Sequence, residues 1–466
     1  MILNDVHSQL NATEVAGVER PADLSALREV VKRTKHLRSS ISVGGSRHAM
    51  GGQQFAAQRI HVDMRSLDRV LRADSERGLL HIEAGACWPK IISATQAMKG
   101  LDGTPWAIRQ KQTGVDEVTL GGSISANAHG RGLLMQPLAA DIEELTLIDA
   151  EGEIVVCSRA QNSELFSLAV GGYGLFGLIY SATLRLTPRR RVQRLVDILD
   201  LADAMNAVHR RVSQGCLYGD FQFVIDPDDD SFLHRGVFAC YQPVAEVASD
   251  VDASADLSSE TWLRLLQLAH EDKSQAFSLY SQHYLRTHGS RYWSDTMQLG
   301  TYIPTYADYL ESHRKVAAAS EAKETLVIGE HYVPRENIAI FMAEAARILK
   351  SRRVEVIYGT IRAILRDECS FLAWAKADFA CVIFNLRTPH TPEGKARTAD
   401  AFRALIASAL DLGGSYFLTY HNYATREQVL RAYPQFPAFL ERKRHFDPET
   451  RFTSRWYDHH RELIEG

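Results

Sequence analysis

Short runs of alternating apolar and polar residues dominate the first part of the chain. Residues 79–86 read Leu-Leu-His-Ile-Glu-Ala-Gly-Ala, and residues 145–156 hold two such runs around Glu-Gly. A period of two is typical of a strand with one buried face, and the Glu-Gly pair predicts a hairpin turn. Residues 21–31 space their apolar positions as a helix does, after a proline and an aspartate that favour a helix start. Strands mixed with helices predict an α+β domain here.

The second part of the chain carries longer amphipathic helices between strands. Residues 338–349 give the clearest helical period, and residues 354–358 and 379–386 are predicted strands. The acidic, small-residue stretch 248–259 is predicted to be an exposed loop. Three arginines at 189–191 follow Pro188, and we interpret them as a solvated linker between domains.

A chain of 466 residues is too long for one ordinary core. We predict three segments: residues 1–190, residues 191–415, and residues 416–466 returning to the first domain. Hydrophobic residues make up 45% and the net charge is -4, so the charge gives no case for nucleic acid or an anionic membrane. The start shows no signal peptide, no apolar run could span a bilayer, and the six cysteines are scattered. These features predict a cytoplasmic protein with reduced thiols and no metal site.

Three glycine clusters suggest one extended ligand. Residues 43–52 hold four glycines around His48, and further clusters occupy residues 118–132 and 170–179. Glycine lets backbone N–H groups approach an anion, because no Cβ blocks the way. A pyrophosphate group is the anion that we expect these loops to bind. Phosphate binding does not require a histidine, so His48 needs a separate explanation.

The third cluster imitates a dinucleotide fingerprint. Gly172, Gly174 and Gly177 have the required spacing, but that fingerprint needs a strand before it and a helix after it. Here residues 162–169 predict a helix capped by Asn162 or Ser163, and residues 178–186 predict a strand. We therefore reject a Rossmann site and predict a glycine-rich turn from helix to strand.

Together these motifs resemble the FAD-linked oxidases and dehydrogenases of the vanillyl-alcohol oxidase/p-cresol methylhydroxylase (PCMH) type. The resemblance covers roughly residues 15–190 and the last ~60 residues. It implies FAD as cofactor, a PCMH-type FAD-binding domain of two subdomains, and an α+β substrate (cap) domain with an antiparallel sheet. The residues that it places against FAD are Gly44, Gly45, Ser46, Arg47, His48, Ala49, Thr119, Gly121, Gly122, Ser125, Gly177 and Ile179.

His48 stands where many members of this family bond a histidine covalently to the flavin. An imidazole nitrogen is a competent nucleophile toward an electrophilic flavin. The resemblance therefore implies covalent FAD through His48, with a non-covalent contact as the alternative. Residues 114–132 hold no cysteine for a second link, so we expect one bond at most.

The resemblance also implies five catalytic candidates: His129, Tyr420, His421, Arg362 and Asn385. His129 lies in an Ala-His-Gly-x-Gly context similar to sugar- and polyol-oxidising members. Tyr420 and His421 stand near an essential lysine of the decaprenylphosphoryl-ribose oxidases, which this chain lacks. Arg362 resembles an arginine of the alditol and aldonolactone oxidases, although Thr360 replaces their acidic residue.

Asn385 and Arg387 are expected to point into the same site from a neighbouring strand. Each candidate also has a structural alternative: a lone histidine, an aromatic strand or a surface arginine is often part of the framework.

The implied reaction is the oxidation of a CH–OH group to a carbonyl by hydride transfer to flavin N5. His129, His421 or Tyr420 would act as the base or orient it, and electrons would pass to oxygen or another acceptor. A flavin-dependent C=C reductase, as the tail's resemblance to sterol Δ24-reductases suggests, is one alternative. A flavin-binding protein without catalysis is another.

Overall fold

Four β-sheets organise the described part of the protein. The computed structural model describes residues 1–245, 258–300, 306–316 and 322–466, so nearly all of the loop predicted at 248–259 lies outside the described residues. Strands β1 (Ile2–Leu3) and β2 (Thr13–Glu14) form a small antiparallel pair. Helices are combined with sheets that are antiparallel in three cases and parallel in one, which confirms the α+β class.

A three-stranded parallel sheet carries the first glycine cluster. Its elements are β3 (Gly17–Glu19), α1 (Leu24–His36), β4 (Ile41–Gly44) and β5 (Ile60–Asp63). The strand order is β3-β5-β4. The predicted helix start is confirmed, because the Asp23 side chain accepts a hydrogen bond from the Ala26 N–H.

A six-stranded antiparallel sheet carries the other two glycine clusters, in the order β10-β9-β11-β7-β6 with β8 beside β11. Its region comprises β6 (Val70–Asp74), β7 (Leu79–Glu83), α2 (Trp88–Gln96), β8 (Trp106–Ile108), α3 (Leu120–Ala126), β9 (Ile142–Ile148), β10 (Ile154–Ser158), α4 (Ser163–Ala169) and β11 (Leu178–Pro188). The predicted hairpin is confirmed by the pairing of Ile148 with Ile154.

The second domain is built on an eight-stranded antiparallel sheet, in the order β15-β12-β14-β13-β17-β18-β16-β19. Its elements are β12 (Arg191–Asp200), α5 (Leu201–Ser213), β13 (Tyr218–Phe223), β14 (Arg235–Pro243), α6 (Ser259–Glu271), α7 (Lys273–Arg286), β15 (Arg291–Trp293), α8 (Tyr306–Val316), β16 (Glu324–Pro334), α9 (Ile338–Arg352), β17 (Val356–Ile364), β18 (Phe379–Pro389), α10 (Pro392–Asp411) and β19 (Ser415–Tyr416). Helices α9 and α10 pack on one face of this sheet through a shared apolar core.

Three further helices complete the chain: α11 (Arg426–Ala432), α12 (Phe436–Phe446) and α13 (Arg455–Glu465). Short 3₁₀ turns lie at Met64–Ser66, Leu138–Asp141, Thr296–Gln298 and Arg335–Asn337. Between α12 and α13 the chain returns to the parallel sheet. The Ile41 N–H donates to the Arg451 carbonyl at 2.7 Å, and Ile41 forms an isolated bridge with Phe452.

The segment between β11 and β12 is not the solvated linker that the sequence suggested. The Cζ atoms of Arg189 and Arg191 each lie 4.3 Å from the ring centroid of Trp293, and Arg189 also pairs with Asp295 at 2.9 Å. A guanidinium over an indole gains from the ring quadrupole, and this contact buries Arg191 to 6% exposure. The expectation is wrong because the partner lies about a hundred residues away in sequence.

The structure adds a helix at the second glycine cluster and corrects one predicted cap beside the third. Residues 120–126 of the second cluster form helix α3, whose start is capped by the Thr119 side chain. Asn162 does not cap α4, because it adopts φ 48° and its side chain donates to the Val156 carbonyl at 2.8 Å. The order of α4, glycine turn and β11 is the one that led us to reject a Rossmann site.

Candidate active site

A cavity of about 460 Å³ lies between the glycine clusters and the eight-stranded sheet. All twelve residues predicted to hold FAD line this cavity: Gly44, Gly45, Ser46, Arg47, His48, Ala49, Thr119, Gly121, Gly122, Ser125, Gly177 and Ile179. They come from three separate stretches of sequence, so the fold brings the three glycine clusters to one place.

Glycine is required on this wall because backbone segments meet closely. A Cβ on Gly45 would overlap the Thr119 side chain, and a Cβ on Gly121 would lie 3.0 Å from the Ala84 Cβ. The Gly121 N–H donates to the Ala84 carbonyl at 2.7 Å, which holds the start of α3 against the six-stranded sheet. The glycine clusters thus form one wall of the cavity, where backbone segments pack too closely to leave room for a Cβ. We call this surface the fitted glycine wall.

The charge along this wall suits a pyrophosphate. Arg47 lines the cavity beside the first glycine cluster, with φ 61°. Among the described residues, the acidic side chains that line the cavity are Asp220 and Glu330, and both lie on strands of the second domain. A cradle of glycines and one arginine fits the anionic part of FAD.

His48 lies on the cavity wall as a neutral imidazole. Its ring makes an edge contact with the ring of His7, with centroids 5.3 Å apart. Burial, with smaller contributions from the nearby His7 and Arg47, lowers the pKa of His48 to about 3. A neutral imidazole keeps a lone pair on one nitrogen, which is the form that acts as a nucleophile.

The far side of the cavity is made by strands of the second domain. Thr360 and Arg362 project from β17, as their period-two spacing predicts, and Asn385 projects from β18. The Asn385 amide donates to the Tyr358 carbonyl at 3.4 Å. Arg387 does not line this cavity. Its guanidinium pairs with Glu324 at 2.9 Å and Glu355 at 3.0 Å.

A buried polar cluster forms the floor between the two sides. The Nε2 atom of His129 lies 2.6 Å from Oε1 of Glu330, and Nδ1 of His129 lies 2.9 Å from the Gly130 carbonyl. The Tyr332 hydroxyl also donates to Oε1, and the Tyr420 hydroxyl donates to Oε2 at 3.1 Å. His129, Glu330 and Tyr420 line the cavity, while Tyr332 supports them from behind.

The surroundings of Glu330 favour its ionised form. Burial opposes the charge, but His129, Tyr332 and Arg362 outweigh it and lower the pKa to about 2. Burial and the neighbouring Glu330 raise the pKa of Tyr420 well above its usual range. The floor therefore combines a buried carboxylate with a neutral phenol.

His421 lies elsewhere. It lines a second cavity of about 350 Å³ together with Lys395, Asn422, Arg455 and His459. Burial lowers the pKa of His421 to about 4. Four of the five catalytic candidates, His129, Tyr420, Arg362 and Asn385, thus share one cavity, and His421 is separated from them.

Sequence reasoning missed Glu330. Strand β16 places apolar residues on both sides of Glu330, from Leu326 to Ile328 and at Tyr332 and Val333, although His331 follows it directly. Burying a carboxylate in such a strand costs about 2–5 kcal/mol of folding free energy unless other groups compensate its charge. A glutamate among these apolar residues was therefore the signal in the sequence that could have identified Glu330.

Comparison with known proteins agrees with this geometry. A sequence profile of the family described as "FAD binding domain" matches residues 15–158. This range includes the first two glycine clusters, His48 and His129. The cofactor is therefore FAD.

Individual relatives match the chain in part. An uncharacterized oxidoreductase, ORF5 of the fasciation locus of Rhodococcoides fascians, is 28% identical over 260 residues, which is 50% of this chain and 56% of that protein. Cytokinin dehydrogenase 4 of Oryza sativa subsp. japonica is 31% identical over 195 residues, 40% of this chain and 35% of that protein. L-gulonolactone oxidase of Bos taurus is 28% identical over 191 residues, 40% of this chain and 42% of that protein.

The chain thus aligns with roughly a third to just over half of these relatives. None of the helices in the described ranges has both the length and the apolar character to cross a bilayer. The profile match over residues 15–158, the partial matches to these relatives and the fitted glycine wall together support an FAD-binding domain, of the type found in FAD-linked oxidases and dehydrogenases, in the first part of the chain.

Proposed function

We propose that the protein oxidises a CH–OH group of a small molecule to a carbonyl, with oxygen or another compound as the final electron acceptor. Bound FAD supplies a two-electron acceptor that takes a hydride from the substrate carbon. The observation that carries the proposal is that one cavity joins the FAD wall to the floor of Glu330, His129 and Tyr420. A substrate between them has a proton acceptor on one side and the cofactor on the other.

Tyr420 is the residue best placed to receive the hydroxyl proton. Tyr420 lines the cavity, and its hydroxyl proton is directed at Oε2 of Glu330. Arg362 lines the same cavity and its charge contributes to the low pKa of Glu330. A cation at that place stabilises negative charge that develops on a substrate oxygen. Asn385 offers an amide on the opposite strand for orientation.

We also propose that His48 bonds covalently to the flavin. The support is its place on the cavity wall in the first glycine cluster and the low pKa that keeps its imidazole neutral. One lone pair on that ring is sufficient for attack on an electrophilic carbon.

The names of the relatives leave two substrate classes to compare. L-gulonolactone oxidase names a lactone, and cytokinin dehydrogenase names a cytokinin. Thr360 lines the cavity at the place where the alditol and aldonolactone oxidases were both expected to have an acid. This position therefore does not distinguish a polyol from a lactone, and both belong among the substrates to test.

The test is anaerobic bleaching of the flavin absorption by a panel of cyclic alcohols, lactones, open-chain polyols and amines. We expect at least one hydroxyl compound to bleach the flavin, and Tyr420→Phe to slow that step by about 10²–10⁴-fold. Tyr423→Phe, which alters a tyrosine outside this cavity, is the control. Bleaching by amines alone, or by NADPH with no response to any alcohol, would contradict the proposal. Dithionite reduction establishes beforehand that the flavin is redox-competent.

A further inference from the structure

The hydrogen bonds of His129 leave no free ring nitrogen toward the cavity. Nδ1 faces the Gly130 carbonyl at 2.9 Å, and Nε2 faces Oε1 of Glu330 at 2.6 Å. A carbonyl oxygen only accepts, so Nδ1 carries a hydrogen. Wherever the proton of the 2.6 Å bond lies, both nitrogens are engaged. His129 therefore does not receive a proton from a ligand.

Glu330 receives hydrogen bonds from several directions. Oε1 accepts from His129, from the Tyr332 hydroxyl and from the Cys381 thiol, whose Sγ lies 3.4 Å away. Oε2 accepts from Tyr420 at 3.1 Å. The side chain is only 3% exposed. A carboxylate with this many donors holds a single rotamer, and an ionised carboxylate has no hydrogen to offer.

The direction of the Tyr420 hydrogen follows from Glu330. A phenol has one hydrogen, and Tyr420 directs it at Oε2 of Glu330. The remaining lone pairs of the Tyr420 oxygen are then the ones available to a ligand in the cavity. The floor of the cavity thus presents acceptors and no donor.

We propose that Glu330 is a positioning residue that fixes the Tyr420 hydroxyl as a hydrogen-bond acceptor, so that the ligand group seated on this floor is an O–H or N–H donor. The inference rests on the proposed function only for the reaction that follows binding. In that reaction the O–H proton of an alcohol moves to the Tyr420 oxygen while the Tyr420 proton moves to Oε2 of Glu330. The two electrons of the C–H bond leave with the hydride to FAD, and the C=O bond forms.

A floor that only accepts hydrogen bonds distinguishes ligands that carry a donor from ligands that carry none, which the fold alone does not do. Alcohols and amines offer a donor to the floor. Ethers, ketones and simple alkenes offer none, and a site built for a donor leaves its acceptors unpaired when such a ligand binds. The inference therefore disfavours reduction of an isolated C=C bond at this site.

The test compares phenol with anisole in the FAD-loaded protein. The two probes share a planar ring, which suits the aromatic wall of Tyr358, Phe417 and Tyr420, but only phenol carries a donor. Neither has a hydrogen on an alcohol carbon, so no turnover is involved. Titrations are followed by the difference spectrum of the bound flavin.

We expect the wild type to bind phenol about tenfold more tightly than anisole, which corresponds to about 1.4 kcal/mol. In Tyr420→Phe the ratio should fall to within about twofold. In Glu330→Gln it should fall or invert, because an amide N–H can donate to the Tyr420 oxygen and turn the hydroxyl toward the cavity. Tyr423→Phe, which alters a tyrosine outside this cavity, should keep the wild-type ratio.

A wild type without preference for phenol, including one with no donor-dependent spectral change, would overturn the inference. An unchanged ratio in Tyr420→Phe would do the same, and this variant decides the question if Glu330→Gln does not retain FAD. If the protein binds phenol preferentially through Tyr420 but oxidises no alcohol, the role of Glu330 and Tyr420 in binding a donor stands. The proposed oxidation of an alcohol is then wrong. The two failures are therefore distinguishable.

Discussion

His129 and Glu330 form a buried pair, 2.6 Å apart, across 201 positions of sequence. His129 follows α3 in the FAD-binding domain, and Glu330 lies in the sheet of the second domain. The two side chains are 4% and 3% exposed. The pair therefore links the two domains at the point where the cavity passes from one to the other.

Removing one member of this pair should destabilise the protein strongly. In Glu330→Ala, the His129 imidazole and the Tyr332 and Tyr420 hydroxyls lose their common acceptor while they stay buried. We expect a loss of about 3–5 kcal/mol in the free energy of unfolding, measured by urea titration. Glu336→Ala, in the short turn before α9, is the control and should change stability by less than about 0.5 kcal/mol. A loss below about 1 kcal/mol in Glu330→Ala would show that the pair is not a structural link.

The proposed covalent bond between His48 and the flavin can be tested by precipitating the protein with acid and examining the pellet. Wild-type protein should retain yellow flavin in the pellet, whereas His48→Ala should release it to the supernatant, because the attacking nitrogen is gone. His421→Ala alters a histidine in the other cavity, and its pellet should stay yellow. Release of flavin from the wild type would show that His48 is not bonded covalently to the flavin. It would leave the FAD site itself unchanged.

Substitutions in the fitted glycine wall should cause loss of bound FAD. Gly45→Ala should abolish FAD retention, because its Cβ would overlap the Thr119 side chain that caps α3. Gly122→Val should also lose FAD, since a branched side chain would stand on the cavity wall. Absorption at flavin wavelengths per mole of protein measures both effects.

The control for that series is Gly17→Ala in the parallel sheet. Its Cβ would lie 3.4 Å from the flexible end of Ile60, which is ordinary contact, so the variant should bind FAD normally. Full yellow colour in Gly45→Ala would mean that the first glycine cluster does not contact the cofactor.

His331 gives the protein an acid-sensitive core. The residue is fully buried among Phe341, Phe384 and Phe402, and neither ring nitrogen has a hydrogen-bond partner among the described residues. Burial lowers its pKa from 6.5 to about 3. Between these two values the unfolded chain binds a proton that the folded chain excludes. Stability should therefore fall as the pH drops from about 6.5 toward 3, by at most about 1.4 kcal/mol per pH unit for this histidine.

Replacing this histidine should relieve that sensitivity. His331→Phe removes the titrating group and the unpaired nitrogens, so we expect a gain of about 1–3 kcal/mol at neutral pH. The melting temperatures of variant and wild type should then diverge further at pH 5 than at pH 7.5. His209→Phe, on an exposed position of α5, should run parallel to the wild type. Parallel curves for His331→Phe would assign the acid sensitivity to other groups.

The parts of the site that rest on local geometry could be predicted from sequence. The glycine wall and the strand face of Thr360 and Arg362 follow from conformational freedom and from a period of two. Glu330 could not be placed in this way, because its contact with His129 depends on β16 lying between β18 and β19.

Adjacent residues in irregular backbone also resist prediction. Tyr420 and His421 follow each other outside any strand or helix, and they line different cavities. The arginines at 189 and 191 looked solvated because their partner, Trp293, is distant in sequence. In each case the decisive information was a tertiary contact that no local pattern contains.

The bridge between Ile41 and Phe452 has a consequence for biosynthesis. β4 leads directly into the first glycine cluster, yet its edge is completed by a segment that the ribosome makes 411 residues later. At the usual elongation rate of about 5–20 residues per second, this gap lasts about 20–80 s. The nascent chain therefore carries a first glycine cluster whose sheet edge is still incomplete during this time, so we expect FAD to be retained only after the segment around Phe452 has been made.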